Sequence, residues 1–305
     1  MMKIVDDWIP SVHLCHRHQS ESVRARWIQQ LRHVCEQADT NSPIRAIRDE
    51  QGNAVYAIHY PGRLVCIGGF SYANHPPSPA DQGIVAGQLR KLVFGLSENV
   101  EIVQAVLYES EHSAEAIHDR QETLRQSGFR PLATLLQMER IESSFDSSPS
   151  CDSEGSLSFE PWSQALEKDF ESCVDGTYEN TLDVPELNGV RSVSSTLAGY
   201  AAAIAGDSRP WWLVRRGDKT SGCLLLCSHG SDTVELVYVG LLPDFRNRGL
   251  SREILRFAHR WAQDYGAKRV VLAVDQRNGP AIQAYLSFGY ETIGKAIAWF
   301  WNPKL

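Results

Sequence analysis

The chain has 305 residues, a formal charge of −7 and 43% apolar residues, a length that suits two domains of about 150 residues each. The mild acidity excludes nucleic acid as the main partner, since binders of phosphate backbones carry a basic patch, and no stretch of about 18 apolar residues exists to engage a membrane. The N-terminal MMKIVDDWIP is too acidic for a signal peptide, and the seven scattered cysteines read as reduced thiols, so a cytoplasmic protein is expected.

In chain order, the first cluster of chemical interest is HLCHRH, His13 to His18. Imidazole and thiolate suit zinc, but the spacing fits no closed zinc motif and no metal is expected. Next, RLVCIGGF reads as a strand and runs into SYANHPPSPADQG, a Pro-rich loop. VEIVQAVLYE reads as a buried strand, followed by a helical segment, then Gly128-Phe129 and a closing strand. The stretch from Glu142 to Ser158 is rich in Ser, Asp and Glu and cannot bury enough surface to offset its ordering entropy. It divides the chain into 1–142, a linker 143–157, and 158–305.

The second half opens with a predicted helix at Gln164–Cys173, then the irregular loop YENTLDVPELNG and a helix from Val193 to Ala205. Three antiparallel strands follow, separated by Gly-Asp and His-Gly-Ser-Asp turns. A helix from Leu250 to Tyr265 carries Gly266 as its C-cap. A strand, a short helix and a last strand complete it. Aligning Gly128-Phe129 with Gly289-Tyr290 sets Leu124 opposite Tyr285 and makes the halves an internal repeat.

The chemistry concentrates where strand passes to helix, at Arg246-Asn247-Arg248-Gly249-Leu250-Ser251. The N–H groups of Asn247 to Arg252 lack partners inside the helix and point out of its positive end. Gly249 has no Cβ and lets a ligand approach the backbone, while Arg246 and Arg248 add charge at the rim. The combination suits a pyrophosphate.

This motif, followed by Asn278, Ala281, Tyr285, Gly289 and Tyr290 at the spacing NGPAIQAYLSFGY, resembles the GNAT family of N-acetyltransferases. The departure is Ser251, where the family most often has Gly or Ala. The resemblance implies an α+β fold: two tandem GNAT-like domains, each a mixed, mostly antiparallel twisted sheet flanked by helices. The N-terminal copy is degenerate, having lost the glycine motif and carrying Leu124 in place of the tyrosine. It implies acetyl-CoA as co-substrate, with its pantetheine arm against Val239 and Leu241. The diphosphate would lie on Asn247 to Arg252, meaning Asn247, Arg248, Gly249, Leu250, Ser251 and Arg252, and Asn278 would contact the cofactor or cap its helix. The matching position makes Glu235 the general base, provided it faces the cleft and not water. Tyr285 is then the acid for the departing thiolate, or an aromatic packing its helix on the sheet. The acceptor is a primary amine of a small molecule or peptide, approached through the acidic loop of Tyr178, Glu179 and Asp183. A non-catalytic acyl-CoA sensor is the alternative, and pairing of exposed sheet edges would give a homodimer.

Overall fold

In the computed structural model the described residues are 3–5, 8–37, 43–95, 100–141, 157–202, 204 and 209–303. The expected linker therefore falls, but for Leu157, outside them, as does the Gly206 expected to end a helix. The elements run β1 (Lys3–Val5), α1 (Ile9–Cys15), α2 (Glu21–Gln37), β2 (Ile44–Arg48), β3 (Ala54–Tyr60), β4 (Leu64–Ser71), α3 (Pro79–Phe94), β5 (Ile102–Tyr108) and α4 (Ala114–Gln126). They continue with β6 (Arg130–Ile141), β7 (Ser158–Pro161), α5 (Glu167–Tyr178), α6 (Val193–Ala202), β8 (Trp211–Arg216), β9 (Lys219–His229), β10 (Thr233–Leu241), α7 (Leu250–Tyr265), β11 (Arg269–Asp275), α8 (Gly279–Ser287) and β12 (Glu291–Trp301).

Two compact units form: residues 1–133 with 296–305, and residues 134–295. Unit 1 holds the strand order β1-β2-β3-β4-β5, closed by the Ala296–Trp301 part of β12 on β5. Unit 2 holds β6-β11-β10-β9-β8-β7, closed by β6 on β11. Each half of the chain thus lends its closing strand to the other unit.

The expected repeat is visible inside each unit. A strand, a helix, a parallel strand and a second helix succeed one another as β4-α3-β5-α4 and as β10-α7-β11-α8. At the helix ends the backbone repeats the same bond: Phe129 N–H donates to Leu124 O at 3.0 Å, and Tyr290 N–H to Tyr285 O at 3.2 Å. Gly128 and Gly289 take the left-handed backbone that each turn requires.

The cores follow the sequence periods. Helix α7 buries Leu250, Ile254, Leu255, Ala258 and Ala262, one face at i, i+4, i+5, i+8 and i+12. Its three large side chains contribute roughly 5–9 kcal/mol of burial before entropy is set against them. They pack on Leu224, Leu226, Val234 and Leu236 of the sheet. On the other face, α5 buries Phe170, Cys173 and Val174 against Trp211, Leu213 and Cys223. The expected helix at 164–173 is displaced: a 3-10 turn occupies Gln164–Leu166 and the α-helix runs on to Tyr178. Its last turn, with Thr177 buried against Gly240, brings the following loop to the sheet.

Candidate active site

In unit 2 the two parallel neighbours β10 and β11 pair only from Thr233 to Glu235, opposite Arg269 to Val271. Past that point they diverge, although β10 runs six residues further and β11 four. The backbone of Leu236–Leu241 is therefore without a β11 partner along one edge. A cavity of about 580 Å³ opens into this gap. Its walls are Leu236–Leu241, the start of α7, Asn278 and Tyr285 of the α8 segment, and the loop Asn180–Asp183.

Helix α7 points its N-terminus into the cavity. Gly249 is its N-cap at φ 75°, and no side chain caps it. A Cβ there would meet nothing within 4 Å, so the glycine serves the backbone conformation and leaves the approach open. The N–H groups of Asn247, Arg248, Gly249, Leu250 and Ser251 find no acceptor among the described residues. Such amides, with the helix dipole behind them, form a seat for an anionic ligand. The Arg252 N–H is already taken by Gly249 O at 3.1 Å.

Arg246 does not supply the mobile charge expected of it. Its guanidinium donates to the carbonyls of Leu241 (2.9 Å), Thr177 (2.9 Å), Glu179 (2.8 Å) and Asn180 (3.3 Å). It straps the end of α5 to the end of β10. Arg248 and Arg252 are exposed and lie outside the cavity wall.

Tyr285 is buried, lines the cavity and keeps its proton, because burial and then the Asp183 carboxylate push its phenol above the ordinary value. Asn278 lines the cavity, and its Oδ1 accepts the Ala281 N–H at 3.4 Å as the cap of α8.

Of the three acceptor-loop residues, the cavity wall includes Asp183 alone. Tyr178 packs edge-on against Tyr238 with ring centroids 6.0 Å apart, and Glu179 is exposed, with its carbonyl on Arg246. Burial raises the Asp183 carboxyl above the ordinary carboxylate value, against the hydrogen bonds from Asp275 N–H and the Asn278 amide.

Glu235 lies apart from this group. Its carboxylate receives His229 Nε2 at 2.6 Å, is more than a third exposed, and does not line the cavity. β9 pairs Leu226 with Leu236 but Leu225 with Tyr238, a bulge at Val237. The extra residue inverts the alternation, so Glu235 shares a face with Tyr238 and Gly240, not with Val239 and Leu241.

Sequence reasoning missed a latch that pins the loop following α5. Asp275 N–H donates to Asp183 Oδ1 at 3.0 Å, and Val184 N–H donates back to Asp275 Oδ2 at 3.2 Å. Arg277 grips Glu186 with two bonds of 2.5 and 2.9 Å and also holds Asp275. Burial pushes the Asp275 carboxyl up, but the Arg277 and Val184 donors outweigh it and hold it low. Val184 sits at φ 43°, a left-handed conformation costly for a β-branched side chain, which the latch sustains. The one sequence signal was an Asp and an Arg at the end of a buried strand.

Residues 160–290 match the sequence profile of the Acetyltransferase (GNAT) family. This segment belongs to that family. Over 74 residues the chain is 31% identical to a mycothiol acetyltransferase of Corynebacterium glutamicum, a match that covers 24% of this chain and 25% of that protein. The fold extends further than the sequence likeness. A GCN5-related N-acetyltransferase from Sphaerobacter thermophilus superposes with a TM-score of 0.58 at 15% identity, covering 99% of this chain and 95% of its own. A tandem GNAT protein from the clavulanic acid biosynthesis pathway gives 0.51 at 10% identity, covering 99% and 98%. The chain is accordingly a tandem of two GNAT-like α+β folds. No helix among the described residues is long and apolar enough to cross a membrane.

Proposed function

We propose that the chain transfers an acetyl group from acetyl-CoA to a primary amine of a small molecule or peptide, in the cavity of unit 2. The observation that supports this best is the uncapped N-terminus of α7, opening at Gly249 onto the gap between β10 and β11. The free amides of Asn247–Ser251 fit a diphosphate, and the unpaired edge of Val239–Leu241 fits the amide groups of a pantetheine arm. The thioester supplies an activated carbonyl carbon.

In this reading the amine nitrogen attacks that carbon, the C–S bond breaks, and Tyr285 donates to the departing sulfur. An alkylammonium has to lose a proton before its lone pair can attack, since its ordinary pKa is near 10. Asp183 is the carboxylate that shares the cavity with Tyr285, and it receives the cationic amine there. The proton the amine gives up passes through water to the Glu235 carboxylate, which is also bonded to His229. We read 158–305 as the acting copy and 1–142 as the copy without a cofactor seat. No disulfide joins any two of the described cysteines, in keeping with the cytoplasm as its setting.

The test is thiol release from acetyl-CoA in the presence of a panel of amines, with the cofactor's affinity measured alongside by calorimetry. Release that depends on one class of amine supports the proposal. Tight cofactor binding without turnover on any amine favours a sensor instead.

A further inference from the structure

Unit 1 retains a cleft at the position that the catalytic reading gives to unit 2, and its chemistry is different. At the N-terminus of α3, Ser78 Oγ accepts the Asp81 N–H at 3.2 Å, while Asp81 Oδ2 accepts the Ser78 N–H at 2.9 Å. Pro79 supplies no N–H. The protein's own carboxylate thus occupies the end of the helix where a diphosphate would lie. What remains beside it is a cavity of about 530 Å³.

Its wall includes Arg120, a side chain only 7% exposed. One of its donors, Nη1, reaches the Phe70 carbonyl at 3.0 Å, and its guanidinium lies 4.6 Å over the Phe70 ring. It forms no ion pair with a described residue. A guanidinium carries five N–H donors and stays charged, so a buried one with a single carbonyl partner has donor capacity left over. A neutral aromatic wall stands around it: Tyr72, His18 and His112, the last two with rings 5.5 Å apart. His112 is held down to about 4 by burial and then by the Arg120 charge, so the imidazole is uncharged at neutral pH. Acids are also present. Glu111 and Glu115 are exposed, and Asp119 accepts the Gln82 amide at 3.0 Å. Arg17 also lines the cleft, with its guanidinium donating to the Tyr72 carbonyl; against these two cations the three acids disfavour a dianion and leave the remaining donors of Arg120 for one negative charge.

We propose that this cleft binds an organic monocarboxylate with a flat or apolar body, its carboxylate forked on Arg120 and its body against Tyr72, His18 and His112. The fork geometry of a guanidinium matches a carboxylate in two parallel bonds. The inference is independent of the acyl-transfer reading, because it concerns the other unit.

The test titrates the full chain with benzoate, with benzamide as its neutral isostere and with inorganic phosphate as a second anion. Heats of binding and the imidazole signals of His18 and His112 are followed. Benzoate is expected to bind saturably and shift those signals, with benzamide and phosphate each about tenfold weaker or more. Arg120→Met should weaken benzoate about tenfold or more. Because Arg120 also holds Phe70, His112→Ala serves as a second variant that spares that bond. It should weaken benzoate about threefold, with acetyl-CoA affinity unchanged in both variants. Unmoved imidazole signals at about 10 mM benzoate, benzamide binding equal to benzoate, or phosphate binding more tightly would each overturn the proposal.

Discussion

Helix α7 ends in glycine on both sides, and that symmetry separates a structural role from a binding role. Gly249 has φ 75° and Gly266 φ 90°, and a Cβ at either position would meet nothing within 4 Å. Replacing either by alanine should therefore cost only the left-handed backbone, about 1–2 kcal/mol. The two variants, G249A and G266A, should lower the thermal midpoint by similar amounts. Their effect on cofactor should differ. At 249 the new methyl stands among the amides that no acceptor among the described residues uses, where the diphosphate would lie. Loss of one charge-assisted bond there costs about 1.5–3 kcal/mol, or roughly 10- to 150-fold in affinity for acetyl-CoA. At 266 the methyl lies at the far end, where Gly266 N–H reaches Gln263 O, and acetyl-CoA should bind as to the parent chain. Calorimetric titration of both variants with acetyl-CoA decides. Equal affinities would refute the seat at Gly249 and with it the donor assignment.

Tyr285→Phe should lower turnover about tenfold or more while leaving the acetyl-CoA dissociation constant within about twofold, because only the donated proton is lost. Asp183→Asn keeps the bond accepted from Asp275 N–H but removes the charge, so it should raise KM for the amine more than it changes cofactor affinity. Steady-state kinetics on both substrates reads this, and an unchanged KM would remove Asp183 from the acceptor site. Arg277→Gln frees Glu186 and leaves buried Asp275 without its cation. The acceptor loop should then be cut faster by protease and the amine KM should rise, whereas unchanged cleavage would refute the latch. In unit 1, buried His16 is held at about 4, below its ordinary 6.5, by burial and then by His18. The unfolded chain therefore takes up this proton first as pH falls. The stability this group confers is present above about pH 6.5 and lost toward pH 4, a loss of about 2 kcal/mol between pH 7 and 5. Urea midpoints at the two pH values should fall accordingly, and by less in His16→Gln. The same fall in both proteins would sink this assignment.

The uncapped start of α7 was legible because it is built from backbone. A left-handed N-cap favours glycine, and Gly249 stands just ahead of the amphipathic run. The long amphipathic period of α7 and the Asn278 cap were legible for the same reason: each is a local rule. What escaped the sequence depended on remote partners or on one inserted residue. Arg246 looked like free charge because Thr177, Glu179 and Asn180 lie more than sixty positions away. For Glu235 the sequence left both faces open, and the bulge at Val237 and the partner His229 show only in the strand register and contacts. The latch of Asp275 and Arg277 on the loop spans about ninety residues, beyond any periodic signal. In the first half, the capping box at Ser78 and Asp81 was hidden by the expectation of an irregular Pro-rich loop.

The traded closing strands constrain how this protein can be taken apart. A fragment beginning at residue 158 would leave Arg269–Asp275 with a raw hydrogen-bonding edge, since the Leu135–Ile141 segment that covers it would be missing. The complementary fragment would bare Val103–Tyr108 in the same way. Bare edges of this kind recruit foreign strands. Separately expressed halves should therefore clump, and a chain nicked within 143–156 should travel as one species until denatured.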